Sequence, residues 1–323
     1  MKYLYYPGCS LEGTAMEYEI ATRALMKALG CKLEEIEDWT CCGAGAAESV
    51  SYLLSLALPA RNIALAEKSE DCKDILVPCS ACYLNLKKVE EKTKKDADLR
   101  EQLNEILSET GLKLTGKVKV RHLLDVLAVD VGADAVAKLV KKHNGVDVNS
   151  TKRRFDGFTF APYYGCQCLR PYKVFDDPES PASMNGLIEA TGAKVHKWSM
   201  GAKCCGASHI NTDPDVSLNL VKAILQSAKG ADAIITVCPM CQMNLEAYQD
   251  KISSMCNEHL KIPVLYLPQL LGLALGLTDK DIRLDLNLST FLTGSKEWKF
   301  NNTSSREQRS LFPTTPEVLE KPC

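Results

Sequence analysis

The chain has 323 residues, 46% of them hydrophobic, which suits two domains of ordinary size. Lys and Arg number 39 against 41 Asp and Glu, so no basic surplus points to a nucleic-acid partner. The longest apolar stretch, Leu265 to Leu277, falls short of the ~20 residues of a membrane span. No signal-like run precedes Pro7-Gly8, so a cytoplasmic protein without direct membrane insertion is expected. In a reducing compartment, 15 cysteines point to metal or redox chemistry rather than to disulfides.

Lys2 to Tyr6 reads as a strand stopped by Pro7-Gly8, with Cys9 just beyond it. Glu17 to Leu29 carries apolar residues at helical spacing and ends at Gly30. Cys31 to Ile36 alternates as a second strand and leads to Cys41-Cys42-Gly43. Ser51 to Lys68 is a helix, with Pro59 expected to kink or break it. Asp74 to Val77 is a buried strand ending at Pro78-Cys79, and Cys82 opens a polar helix to about Lys95. Helical character continues through 96–110, and Lys117 to Arg121 is a fourth strand.

The second half replays this order. Phe158 to Ala161 is a strand before Cys166, Ser183 to Thr191 a helix, and Ala193 to Trp198 a strand before Cys204-Cys205-Gly206. Pro214 to Lys229 is an amphipathic helix with Asp213 as its cap. Ala233 to Val237 is a strand ending at Cys238, Cys241 opens a helix to about Ser254, and Ile262 to Leu267 is the last strand. The expected architecture is α/β, with two pseudo-symmetric repeats, each a small Rossmann-like parallel sheet flanked by helices. Residues 1–127 make the first domain, 128–157 a linker and 158–280 the second domain. Residues 281–323 are a C-terminal extension expected to be disordered, with no convincing helix or strand after 294.

Each half carries one set of cysteines: Cys9, Cys41, Cys42, Cys79 and Cys82, then Cys166, Cys204, Cys205, Cys238 and Cys241. All fall after predicted strands, at the edge where such sheets bind ligands. Five thiols exceed the four of a structural zinc site, and adjacent cysteines point apart and chelate one ion poorly. They suit a multi-iron cluster, with zinc in one half as the alternative. A thioredoxin-type dithiol would use only the Cys-x-x-Cys of each set. A conventional ferredoxin run is absent, so electrons would enter from a partner. Gly43-Ala44-Gly45 lacks the third glycine of a dinucleotide turn. Outside the pattern, Cys31 and Cys72 read as buried and inert, Cys168 as a candidate accessory ligand, and Cys323 as part of the tail.

With Tyr-Pro-Gly-Cys-Ser-Leu-Glu-Gly-Thr-Ala at 6–15, Pro-Tyr-Tyr-Gly-Cys at 162–166 and both cysteine sets complete, residues 1–280 resemble the catalytic B subunit of heterodisulfide reductase, a protein of two cysteine-rich CCG domains. The resemblance implies a non-cubane [4Fe-4S] cluster in each half, held by the five cysteines. It implies reduction of the coenzyme M–coenzyme B disulfide to its two thiols in methanogenesis. The implied electron-donating partners are an iron–sulfur C subunit with a flavin-containing A subunit, or a membrane cytochrome. The same double module is similar to subunits of lactate-utilisation, glycolate-oxidase and thiol:fumarate reductase systems, which implies an electron-transfer or adaptor role instead. Cleaving a disulfide takes two electrons, and two sites facing one bond would each supply one. Arg170, Lys203 and His209 lie next to motif cysteines and are the candidate cations for an anionic disulfide.

Overall fold

Two strands without a polar face organise the chain. Asp74–Val77 (β3) and Ala233–Thr236 (β7) are almost wholly buried, as the central strands of parallel sheets are when both faces are covered. A computed structural model describes residues 1–143, 154–290 and 299–300. In the first half, Lys2–Tyr5 (β1), Lys32–Glu35 (β2) and Lys119–His122 (β4) join β3 in the order β2-β1-β3-β4. In the second, Thr159–Tyr163 (β5), Lys194–Val195 (β6) and Val264–Tyr266 (β8) join β7 in the order β6-β5-β7-β8. All these pairings are parallel, and the two orders are the same. The α/β architecture of two equivalent sheets is therefore the one expected.

The edge strand β2, Lys-Leu-Glu-Glu, is charged and partly exposed, which discourages pairing with another sheet. Pro162 sits in β5 beyond the end of the two-residue β6, where no ladder donor is needed. The helix Tyr52–Ala66 runs through Pro59 without ending there. Asp96 caps a separate helix, Ala97–Ser108, by accepting from the Leu99 N–H, and Asp213 caps Pro214–Ser227 in the same way through Val216. The helix expected from Cys241 starts at Pro239, and a second helix, Gln249–Cys256, follows a break at Tyr248.

The halves cover one another. The helix Met16–Ala28 of the first half packs on Leu267–Ala274 of the second. Reciprocally, the helix Ala133–His143 of the first half packs on Asn185–Ala190 of the second. One hydrophobic core runs through both, from Tyr3 and Leu25 to Phe160, Leu187 and Leu271. The core reaches into the segment expected as a linker, 128–157. Val126–Val131 and Ala133–His143 are helical, and Val136 and Val140 are fully buried. The Asn, Ser and basic residues that suggested a joint, from Asn144 through Arg153, lie outside the described residues.

The segment expected as a C-terminal extension, 281–323, is packed at its start. Ile282, Leu284, Asn287 and Ser289 are buried. Gln269 Nε2 donates to Asn287 Oδ1 at 2.7 Å, and Asn287 Nδ2 to Val264 O at 3.1 Å. Lys299–Phe300 pairs antiparallel with Ser289–Thr290, so a short strand does occur after 294. Cys323 and the rest of the tail from 301 onward lie outside the described residues.

Buried Glu246 holds this segment. It accepts from the N–H groups of Leu288 and Ser289, each at 3.1 Å, and from the Ser289 hydroxyl. Burial raises its carboxyl from the ordinary 4.5 to about 7. A raised carboxyl favours the folded state in its protonated form. That stability is complete below pH 4.5 and is lost as the pH rises through about 7, where the folded chain must ionise a buried acid. Glu246→Gln is expected to flatten the dependence of the urea midpoint on pH across that window, because the amide keeps the shape without the titration.

Candidate metal centre

The parallel order sends every β-to-α loop to one end of each sheet, and the cysteines lie on these loops. In the first half, Cys42 Sγ is 3.4 Å from Cys82 Sγ, and Cys9 Sγ is 3.8 Å from Cys41 Sγ. In the second, Cys205 Sγ is 3.5 Å from Cys241 Sγ, and Cys166 bonds Cys204 as Cys9 bonds Cys41. Cys79 and Cys238 lie beside Cys82 and Cys241. Each set therefore converges, and the two arrangements match member for member.

The buried members match, but the exposed one differs: it is the lone cysteine in the first set and the first of the adjacent pair in the second. Cys42, Cys79 and Cys82 are buried, as are Cys205, Cys238 and Cys241, while Cys9 and Cys204 are exposed. None of the described cysteines is in a disulfide. Among the described residues, no three His, Cys, Asp or Glu side chains gather about one point as a single-ion site would require.

Crowding divides the thiols by proton affinity. Cys204 is drawn down to about 6, chiefly by the hydrogen bond from Cys166, against the effect of burial. Cys41 is drawn down to about 2 by hydrogen bonds from Cys42 and Cys9. Their partners Cys9 and Cys166 are pushed up, first by those same bonds and then by burial. Cys238 is also drawn down, first by the hydrogen bond from Cys241, so the first set favours one thiolate and the second two, the form that ligates metal.

The backbone is shaped around the sulfurs. Gly43 N–H donates to Cys41 Sγ at 3.4 Å, and Gly206 N–H to Cys204 Sγ at 3.3 Å. Both glycines have left-handed φ, +73° and +76°, which a side chain strains. A Cβ on Gly43 would stand 2.7 Å from Ala47 Cβ. Gly8 and Gly165 form a second pair. A Cβ there would stand 2.6 Å from Cys82 Sγ and 3.0 Å from Cys241 Sγ, so glycine leaves those sulfurs their room.

Two further side chains in each half escape the sequence reading. The Tyr6 hydroxyl donates to Thr40 O at 2.7 Å, and Tyr163 to Lys203 O at 2.7 Å, each tying down the residue before a Cys-Cys pair. Asn85 Nδ2 donates to Cys42 O at 3.0 Å, and Asn244 Nδ2 to Cys205 O at 2.8 Å. The signal for them is a repeat of offsets: a tyrosine three residues before the lone cysteine, and an asparagine three after the Cys-x-x-Cys.

The three candidate cations fare differently. Arg170 and His209 both act electrostatically on Cys204, lowering its proton affinity. Arg170 is also paired with Glu179 at 3.2 Å and donates to Ala202 O. Lys203 has an exposed side chain and contributes its carbonyl to the loop. Cys168 is buried and donates to Tyr164 O at 3.2 Å. Beside the first set, Val50, Tyr52, Leu53 and Leu54 are exposed. The matching stretch at the start of Pro214–Ser227, residues 212–216, is Thr-Asp-Pro-Asp-Val, polar except for the exposed Val216.

A family model described as "Cysteine-rich domain", CCG, matches residues 3–87 and 160–246, which is over half of the chain and contains all ten motif cysteines. The chain belongs to this family. Its two CCG domains resemble those of several relatives named as heterodisulfide reductase B subunits. The chain is 32% identical to a protein of Archaeoglobus profundus named as like the B subunit of heterodisulfide reductase, over 85% of this chain and 91% of that protein. It is 29% identical to the B subunit of the ferredoxin:CoB-CoM heterodisulfide reductase of Methanosarcina mazei, over 87% and 91%. It is 33% identical to the 8-methylmenaquinol:fumarate reductase membrane anchor subunit of Wolinella succinogenes, over 89% and 96%. Among the described residues, no helix is long and apolar enough to cross a membrane. A crystal structure of a hypothetical protein from Helicobacter pylori shares the fold, with a TM-score of 0.65 and 16% identity over 88% of this chain. The chain spans about half of that one, 51%.

The glycine of the CCG motif gives a direct test. Gly45 also has left-handed φ, but a Cβ there would meet nothing within 4 Å. Gly45→Ala is expected to cost about 1–2 kcal/mol for the left-handed backbone alone. Gly43→Ala is expected to cost clearly more, because its Cβ also overlaps Ala47 and Leu58. Chemical denaturation of both variants reads the difference. Equal losses would mean that close packing is not what demands the glycine.

Proposed function

We propose that each five-cysteine set holds an iron–sulfur cluster and that the chain is the disulfide-reducing subunit of a heterodisulfide reductase-type complex. The observation that carries this reading is the occurrence of two equivalent thiol sets, each at the strand-end edge of its own sheet. All ten donors are soft sulfurs, the ligand type that favours iron–sulfur clusters and zinc. Five sulfurs in each set, one more than a tetrahedral zinc takes, suit several irons better than one zinc. The glycines beside Cys82 and Cys241 leave space at the sulfurs that a methyl group would fill.

The cluster in each site would supply or accept single electrons. The chain's own residues do the rest. Cys9, Cys41, Cys42, Cys79 and Cys82 would hold one cluster, and Cys166, Cys204, Cys205, Cys238 and Cys241 the other. Tyr6, Tyr163, Asn85 and Asn244 fix the loops that present them. Burial of three sulfurs in each set keeps water from the inner side, while Cys9 and Cys204 leave one side open. Arg170 places positive charge at the open side of the second site, with His209 also near Cys204, where it would draw an anionic disulfide such as that of coenzyme M and coenzyme B. Electrons would come from an iron–sulfur or flavin-containing partner.

A second reading has its own support, the 33% identity to the membrane anchor of a fumarate reductase. On that reading the chain passes electrons between partners, and substrate chemistry occurs elsewhere. The two readings differ in one assay. Purified, iron-loaded protein with reduced methyl viologen is expected to release thiols from the heterodisulfide. Intact clusters without turnover would favour the electron-transfer role.

The site assignment is checked by metal analysis. The wild-type chain is expected to carry about eight irons and no zinc. Cys42→Ala or Cys205→Ala should lose or convert one cluster, lower the iron content accordingly and abolish disulfide reduction. Full activity in either variant would contradict joint action of the two sites.

A further inference from the structure

Between the two cysteine sets runs a buried polar seam that cluster binding does not use. Tyr18 lies in the helix Met16–Ala28 and is fully buried. Its hydroxyl is 3.0 Å from Pro78 O and 3.1 Å from Val237 O. Pro78 and Val237 hold the same place in the two halves, each directly before the first cysteine of a Cys-x-x-Cys. One hydroxyl hydrogen is therefore shared between the carbonyls of the peptide bonds that lead into Cys79 and Cys238. The Tyr18 ring stacks on Tyr266 of the other half, with centroids 4.1 Å apart and planes within 3°, so the hydroxyl is held in place.

A second strand of the seam reinforces the first. His122 Nδ1 accepts from Leu124 N–H at 3.1 Å, which assigns the ring hydrogen to Nε2. Nε2 then donates to Ser80 Oγ at 3.2 Å, and the Ser80 hydroxyl donates to Val237 O at 3.2 Å. Ser80 stands inside the first Cys-x-x-Cys and also lies against the Cys238 thiol of the second. The Val237 carbonyl thus receives two donors from the opposite half, and Tyr18, Ser80 and His122 are all buried.

We infer that Tyr18 is a positioning residue that couples the two cysteine sites, fixing Cys79 against Cys238 and giving electron exchange between the sites a hydrogen-bonded route. The inference rests on the reading that each set holds a cluster. In the exchange, one site loses an electron and the other gains it. No bond breaks and no further reactant is needed. Such coupling matters because a disulfide needs two electrons, while an iron–sulfur site passes one at a time. Two sites held in fixed register act as one two-electron store.

Tyr18→Phe tests this by removing the shared hydrogen while keeping the ring stack. Ser80→Ala removes the other donor and leaves that stack untouched, so it carries the same test should Tyr18→Phe fail to fold. Tyr83→Phe is the control, because Tyr83 follows Cys82 in the chain and its buried hydroxyl has no hydrogen-bond partner among the described residues. The measurement is the magnetic interaction between the two reduced sites, read by electron paramagnetic relaxation on the full, iron-loaded chain, with iron counted in each sample. Wild type and Tyr83→Phe are expected to show the interaction. Tyr18→Phe and Ser80→Ala should retain iron and show it weakened, and the double variant should lose it. An undiminished interaction in the double variant at full iron content overturns the inference while leaving the functional reading intact. A wild-type chain without two iron sites overturns both, and the iron count separates the two failures.

Discussion

Crowding of thiols is the constraint that the rest of the structure answers. Sulfurs 3.4–3.8 Å apart repel one another once ionised, and most of them are out of water. Nothing in the cysteine loops would keep them together without support from elsewhere in the fold. The support comes from rigid elements: central strands buried on both faces, helices that begin within the Cys-x-x-Cys, and glycines whose conformation turns N–H groups onto sulfur. Tyrosine and asparagine then tie the loops to one another. The fold therefore holds the thiols together, and the cost of gathering them is offset by the core.

Much of this is legible in the sequence. Asp74–Val77 is placed residue for residue, because a short apolar run flanked by polar residues leaves little choice of element. The duplication, the parallel sheets and the placing of all ten cysteines at strand ends follow from the repeated order. The tying residues are harder to see. Tyr6 and Tyr18 look like ordinary aromatic residues of a strand end and a helix face, and only the folded chain shows what their hydroxyls reach.

Two buried segments are hidden in the sequence because tertiary packing overrides local composition. Ala133–His143 carries Lys and His at its end, which looks like an exposed connection, yet Val136 and Val140 face the second half. Ile282 and Asn287 sit in a run with no periodicity, and they are buried because Gln269 and Glu246 offer partners far away in sequence. Contacts of this kind leave no mark at short range.

The reciprocal packing of the halves has an evolutionary consequence. The helices that follow β1 and β5 each pack on a helix of the other half, as across a two-fold homodimer interface, although Leu267–Ala274 follows β8 directly and Ala133–His143 lies one helix further on. A one-domain ancestor of this chain would have had to associate with a second copy to bury the same surfaces. Fusion released the copies from identity. The apolar Val50–Leu54 beside one site, and Arg170 with His209 beside the other, are a difference that no symmetric dimer can possess. Joining the genes turned one site made twice into two sites free to take different neighbours.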